Sequence, residues 1–193
     1  MNSDQQFTNI NGKRLQALLT KQIVFLDGPM GTMIQGYHLA EEDFRGSFYP
    51  DHSSALQGNN DLLSITKSEV IKDIHLNFLR AGANIIETNT FNANQISQAD
   101  YQLESEVYKI NLHAAQIARD AINSFQLEDP SHPAFVAGAI GPTNRTTSMS
   151  PDVNNPAYRT VNSDEVVNAY KEQVEGLVEG GVDLIYVRPA LTP

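Results

Sequence analysis

The chain has 193 residues, of which 40% are hydrophobic, enough for one domain with a real core. Its 13 basic and 23 acidic residues leave a formal charge of −10, which argues against nucleic acid or an anionic membrane as partner. There is no cysteine, hence no disulfide or thiolate zinc site within the chain, and no apolar run approaches the ~20 residues of a membrane span. A polar N-terminus without a signal-peptide core completes the expectation of a cytoplasmic, acidic domain.

Residues 1–10 read as a flexible tail. Leu15, Leu18 and Leu19 stand at helical spacing within 11–21, a short helix laid under the first strand. That strand, Ile23-Val24-Phe25-Leu26, is apolar throughout and reads as buried. It ends on Asp27 and breaks into Gly28-Pro29-Met30-Gly31-Thr32, with a helical turn over 32–39 and a polar loop over 40–60. Thr66-Lys67-Ser68-Glu69 has the form of a capping box for a helix through Val70, Ile71, Ile74 and Phe78, stopped by Gly82. Strand two covers 84–88, and a long helix follows over 104–125. Strand three covers 134–140, and a second polar loop spans 146–161. Asn162 with Glu165 caps the next helix, through Val166, Tyr170, Val174 and Leu177 to Gly180-Gly181. Strand four is 183–187. The order β-α-β-α-β-α-β predicts an α/β fold with a parallel sheet. "LRAGANII" (79–86) and "VEGGVDLI" (178–185) repeat one helix-glycine-strand junction. Repeated units of this kind suit a (βα)8 TIM barrel, which takes ~250 residues, so four strands predict about the first half of one.

In parallel α/β folds ligands bind at the C-terminal ends of the strands. Three such ends are polar here: Asp27-Gly28, Glu87-Thr88-Asn89, and Gly141-Pro142-Thr143-Asn144. Asp27 is suited to an ammonium, and the glycines after it to close backbone approach and N–H groups free for a carboxylate, which together describe an amino-acid pocket. Two plainer readings stay open: Asp27 caps the following turn, and Glu87, Thr88 and Asn89 are ion-pair or loop residues. The five histidines show no metal spacing, and His75 and His113 read as surface or packing residues. The glycine loop lacks the P-loop and dinucleotide patterns.

The stretches "FLDGPMGTMIQ", "DFRG", "GNNDLL", "AGANIIETNTFNAN", "ADYQLE" and "GAIGPTNRTTSMSPDVNNPAYR" resemble the N-terminal homocysteine-binding domain of the cobalamin-dependent methionine synthases, over about residues 22–186. A weaker similarity reaches other homocysteine methyltransferases, such as the betaine-dependent enzymes. The resemblance implies a methyltransferase barrel that binds homocysteine beside a zinc ion held by three cysteines. The zinc-activated thiolate takes a methyl group from methylcobalamin, which methyltetrahydrofolate recharges, on downstream domains of the full-length enzyme. Residue by residue, it implies that Asp27 receives the homocysteine amine and that Gly28, Met30, Gly31 and Thr32 lie near its carboxylate. Glu87, Thr88 and Asn89 are implied to face the pocket from strand two. Pro29 departs from the glycine usual there and removes one N–H donor.

Two departures bear on activity. The family's zinc cysteines are absent, so neither zinc nor cobalamin is expected to bind this chain alone. Where the family pattern has a second acid for the amine, within "ETxxDT", this chain has Arg188 in "YVRPALTP". Residues 187–193 are expected to be an aberrant end, because codons for them read in a neighbouring frame can restore Glu-Thr-Ser-Ile-Asp-Thr. Three readings follow: the homocysteine half-site of a methionine synthase, a non-catalytic truncated remnant, or half of a split enzyme completed by a separate C-terminal half-barrel.

Overall fold

A computed structural model of the chain describes residues 10–145 and 161–188. The expected tail therefore falls outside the described residues except for Ile10, as do nearly all of the 146–161 loop and residues 189–193 of the anomalous end. Three strands, β1 (Ile85–Glu87), β2 (Phe135–Ile140) and β3 (Leu184–Val187), form a parallel sheet in the order β1-β2-β3. Ile86 lies opposite Val136, and Gly138 opposite Ile185.

All six residues of β2 are buried, because both of its faces are covered. Their alternation decides what each meets. Val136 and Ile140 point to the helix layer, packing with Ala118, Ile122 and Leu177. Those partners belong to α7 (Val107–Glu128) and α8 (Ser163–Glu179), whose small and aliphatic residues recur at helical spacing. On the opposite face Phe135 lines a cavity together with Arg14, Ala17 and Leu18 of α1 (Ile10–Leu19), and Ala139 lines another at the other end of the strand. The expected helix beneath the sheet thus covers the strand starts: Asn11 donates to Asp183 at 2.6 Å.

The repeated junction has a matching physical role in both copies. Gly82 and Gly181 take left-handed φ of 103° and 91°, which allows each helix to turn directly into a strand. Two residues on, a polar side chain grips the preceding strand. Asn84 Oδ1 accepts from Phe25 N–H at 3.1 Å, and Asp183 Oδ2 accepts from Val136 N–H at 2.8 Å. Asn162 and Glu165 also form the expected reciprocal cap, at 2.9 and 2.7 Å.

Several expectations need correction. Residues 23–26 are no buried strand: Leu26 forms a single parallel bridge with Ile85, and Ile23 and Phe25 are 76% and 60% exposed. Thr66 does not cap the second helix. It ends α4 (Leu63–Thr66), and α5 (Ser68–Arg80) starts at Lys67 with no side-chain cap. The 40–60 passage contains α3 (Glu41–Arg45), and Arg45 folds the rest around itself by donating to the carbonyls of His52 and Ser54 at 2.7 and 2.9 Å. Of the two readings of His75, surface or packing, the structure supports packing: it is fully buried in α5, and neither ring nitrogen has a partner among the described residues. Burial alone pushes its pKa down to about 4.

Candidate functional site

At the C-terminal ends of residues 23–26 and β1 lies a cavity of ≈ 430 Å³. Asp27, Gly28, Met30, Gly31, Thr32, Glu87, Thr88 and Asn89 all line it. Two elements bring them together. The 23–26 segment ends at Asp27, and its backbone N–H donates to Ile85 C=O at 2.9 Å, which aligns it with β1. β1 then ends in Glu87, and Thr88-Asn89-Thr90 turns across the strand ends.

Asp27 does not cap the turn that follows it. Its Oδ2 accepts from Glu87 N–H across the gap at 2.9 Å, while α2 (Met30–Gln35) begins after Pro29 without a side-chain cap. Asp27 Oδ1 is buried and has no hydrogen-bond partner among the described residues. Burial pushes this carboxyl up to about 7, opposed by the Glu87 N–H and raised further by the Glu87 charge. A carboxyl so placed has one lone-pair oxygen unspent and favours a cation beside it.

A Cβ on Gly28 would come within 2.8 Å of the Phe78 ring, so the missing side chain leaves room for that ring where the loop meets the cavity. Met30, Gly31 and Thr32 form the first turn of α2, where N–H groups lack intrahelical acceptors and suit an anion. Thr88 is tied into the floor: its hydroxyl accepts from Ala139 N–H at 2.9 Å and lies 2.6 Å from the Thr90 hydroxyl, which donates to Ala139 C=O at 2.8 Å. Asn89 donates to Asn60 C=O at 2.6 Å and fastens the turn to the wall opposite. Thr88 and the Asn89 amide donor therefore hold the cavity's shape.

Glu87 is 8% exposed and is paired. Arg188, just past β3, reaches across β2 and donates to Glu87 Oε1 at 2.8 Å. Among the described lining residues Arg188 is the one cation, against the acids Asp27, Asp61 and Glu87. Asp61 was not singled out from the sequence. It is buried, accepts from Asn92 N–H at 3.0 Å and is pushed up to about 6 by desolvation. The one sequence signal for it was an acid set directly before Leu62-Leu63. The third polar strand end is absent from the cavity lining. Gly141 C=O accepts from Tyr170 at 3.0 Å, and Asn144 donates to Asp100 at 2.6 Å.

The residues do not fit the zinc site that the family resemblance implies. The chain has no cysteine, and no group of three His, Asp or Glu able to hold a metal occurs among the described residues.

The family model for homocysteine S-methyltransferases matches residues 24–189. Among solved structures, the metallated homocysteine methyltransferase MmuM from Escherichia coli aligns with a TM-score of 0.68 at 22% identity, covering 90% of this chain and 56% of that one. Its oxidized form gives a TM-score of 0.67 at 24% identity, covering 89% and 55%. The likeness shows the fold, a partial TIM barrel, and the chain spans little more than half the length of the structures it matches.

Proposed function

The chain belongs to the homocysteine S-methyltransferase family, and from that premise we propose that its cavity is the homocysteine-binding part of a methionine synthase. The observation that carries this reading is the unpartnered, buried Oδ1 of Asp27 in a cavity lined by all eight candidate residues. In the proposed pose Asp27 receives the ammonium, which draws its carboxyl back to the charged form. The N–H groups of Met30, Gly31 and Thr32 receive the carboxylate. The Thr88 hydroxyl keeps the floor rigid, Asn89 keeps the wall in place, and Glu87 adds negative potential next to the amine.

The resemblance extends the reading: methylcobalamin, recharged by methyltetrahydrofolate on other domains of such an enzyme, would supply the methyl group for the thiol. Zinc, when held by the family's cysteines, would make that thiol a thiolate. No step is assigned to it here, because this chain has none of those ligands. In the split-enzyme alternative a separate half-barrel would bring the cysteines. Calorimetric titration of the purified chain with L-homocysteine tests the core claim. Binding that is lost in Asp27→Asn supports it, and binding unchanged in that variant refutes it. A methyl-transfer assay with and without a separately expressed C-terminal half separates a split enzyme from an inactive remnant.

A further inference from the structure

We propose that Arg188 is a tethered cation occupying the Glu87 side of the ammonium site, so that an amine ligand enters by displacing its guanidinium. The inference rests on the homocysteine reading only for which amine enters.

The Arg188–Glu87 pair is lopsided. The Glu87 side chain is 11% exposed and held in β1, whereas the Arg188 side chain is 44% exposed. The Arg188 backbone is anchored, its N–H donating to Ile140 C=O at 2.8 Å. Among the described residues the guanidinium itself makes one hydrogen bond, to Glu87 Oε1. Beside it lie the rings of Phe91 and Tyr186, 6.0 and 5.9 Å away, on which a planar cation can rest when it leaves the carboxylate. One end is fixed and the other can swing.

Leaving Glu87 buried and unpaired is costly, so the guanidinium departs when another cation takes its place. Asp27 lies within the same arrangement, since the Glu87 N–H holds its Oδ2 and leaves Oδ1 free. An ammonium between Oδ1 of Asp27 and the carboxylate of Glu87 would satisfy both acids. Arg188 hydrogen-bonds Glu87 alone and reaches Asp27 only through its charge, so while it stays in place it lowers the apparent affinity for an amine. If the site is free a tenth of the time, apparent affinity falls about tenfold.

The test uses the full chain, carboxyl-labelled for carbon NMR, titrated with methylammonium chloride at constant ionic strength. Arg188→Met and Arg188→Gln remove the charge while keeping a stem of similar length, and two variants guard against a folding failure in one. In these, the Glu87 and Asp27 carboxyl signals are expected to shift at an amine concentration about tenfold below that needed by the native chain. Arg188→Lys, which keeps a tethered cation, is expected to stay near the native chain. Equal titration in all four proteins overturns the proposal, and so does a Glu87 signal that moves in none of them. L-homocysteine titrated in parallel separates the two claims. If methylammonium behaves as expected but homocysteine binds no variant, the role of Arg188 survives and the homocysteine reading fails.

Discussion

The two ends of the sheet use the same residue types for opposite purposes. At the strand starts, polar side chains are spent on one another and on the backbone. Asp183 takes Val136 N–H at 2.8 Å, Arg119 at 2.7 Å and Asn11 at 2.6 Å. Asn84 holds Phe25 N–H and Pro133 C=O, and His132 lies 2.9 Å from Ala83 C=O. At the strand ends capacity is left over: Asp27 has a bare buried oxygen, and Glu87 is satisfied by an arginine from 101 residues away. A buried polar group with every partner made stabilises the fold. One with a partner missing on the wall of a cavity, as Asp27 is, can take a ligand.

Breaking the strand starts should cost the most. Asp183→Ala leaves Val136 N–H and the Asn11 amide without that acceptor, takes from Arg119 its carboxylate while the Gly181 carbonyl remains to it, and is expected to lower stability by about 3 kcal/mol, read as a fall in the urea midpoint. A loss below about 1 kcal/mol would mean that this end is less tightly fastened than its geometry implies.

Acid exposes a difference between His75 and Asp27. The folded pKa of His75, about 4, is below its ordinary 6.5, so its contribution is present above pH 6.5 and is lost as pH falls towards 4. That of Asp27, about 7, is above its ordinary 3.8, so its contribution is present below pH 4 and is lost as pH rises through 7. The two slopes oppose each other between pH 4 and 6.5. His75→Leu should remove the acid-side loss, on the order of 3 kcal/mol, and leave stability falling towards neutral pH. Asp27→Asn should do the reverse and leave a profile that rises from pH 4 to 6.5. Denaturation series from pH 4 to 8 check both, and parallel profiles for the two variants would refute the assignment.

Asn84→Ala should cost about 1–3 kcal/mol, because Phe25 N–H and Pro133 C=O lose a partner. Faster amide exchange at Phe25 is the local signature. Asp27→Asn, by contrast, should leave the melting temperature at pH 7 unchanged or higher while homocysteine binding disappears. Smallest of all, Phe25→Ser on the exposed 23–26 segment should stay within about 0.5 kcal/mol of the native chain. A loss as large as that of Asn84→Ala would show that this segment is covered in solution.

Much of the fold was legible in the residues because it rests on short-range rules. The left-handed glycines at 82 and 181, the Asn162–Glu165 cap and the apolar face of α7 each need only a few neighbouring positions to specify them. The parallel order followed from alternating elements, and the eight candidate site residues followed from strand ends, family resemblance and the rule that ligands bind there. Thr66 misled because a capping box is also compatible with a helix end one residue earlier. Residues 23–26 misled because an apolar run says only that a segment tolerates burial.

Sequence by itself determined the alternation of long helices with β1, β2 and β3, the two glycine junctions and the identity of the polar residues at each strand end. Tertiary structure alone decided which of those groups are spent. Gly28 is small for Phe78, Asp27 reaches Glu87 N–H, and Arg188 lies in a cavity begun 161 positions earlier in the chain by Asp27. The physical reason is range. Backbone angles and helix caps are settled within a turn, but burial and charge pairing depend on whichever distant group the fold brings within a few ångströms.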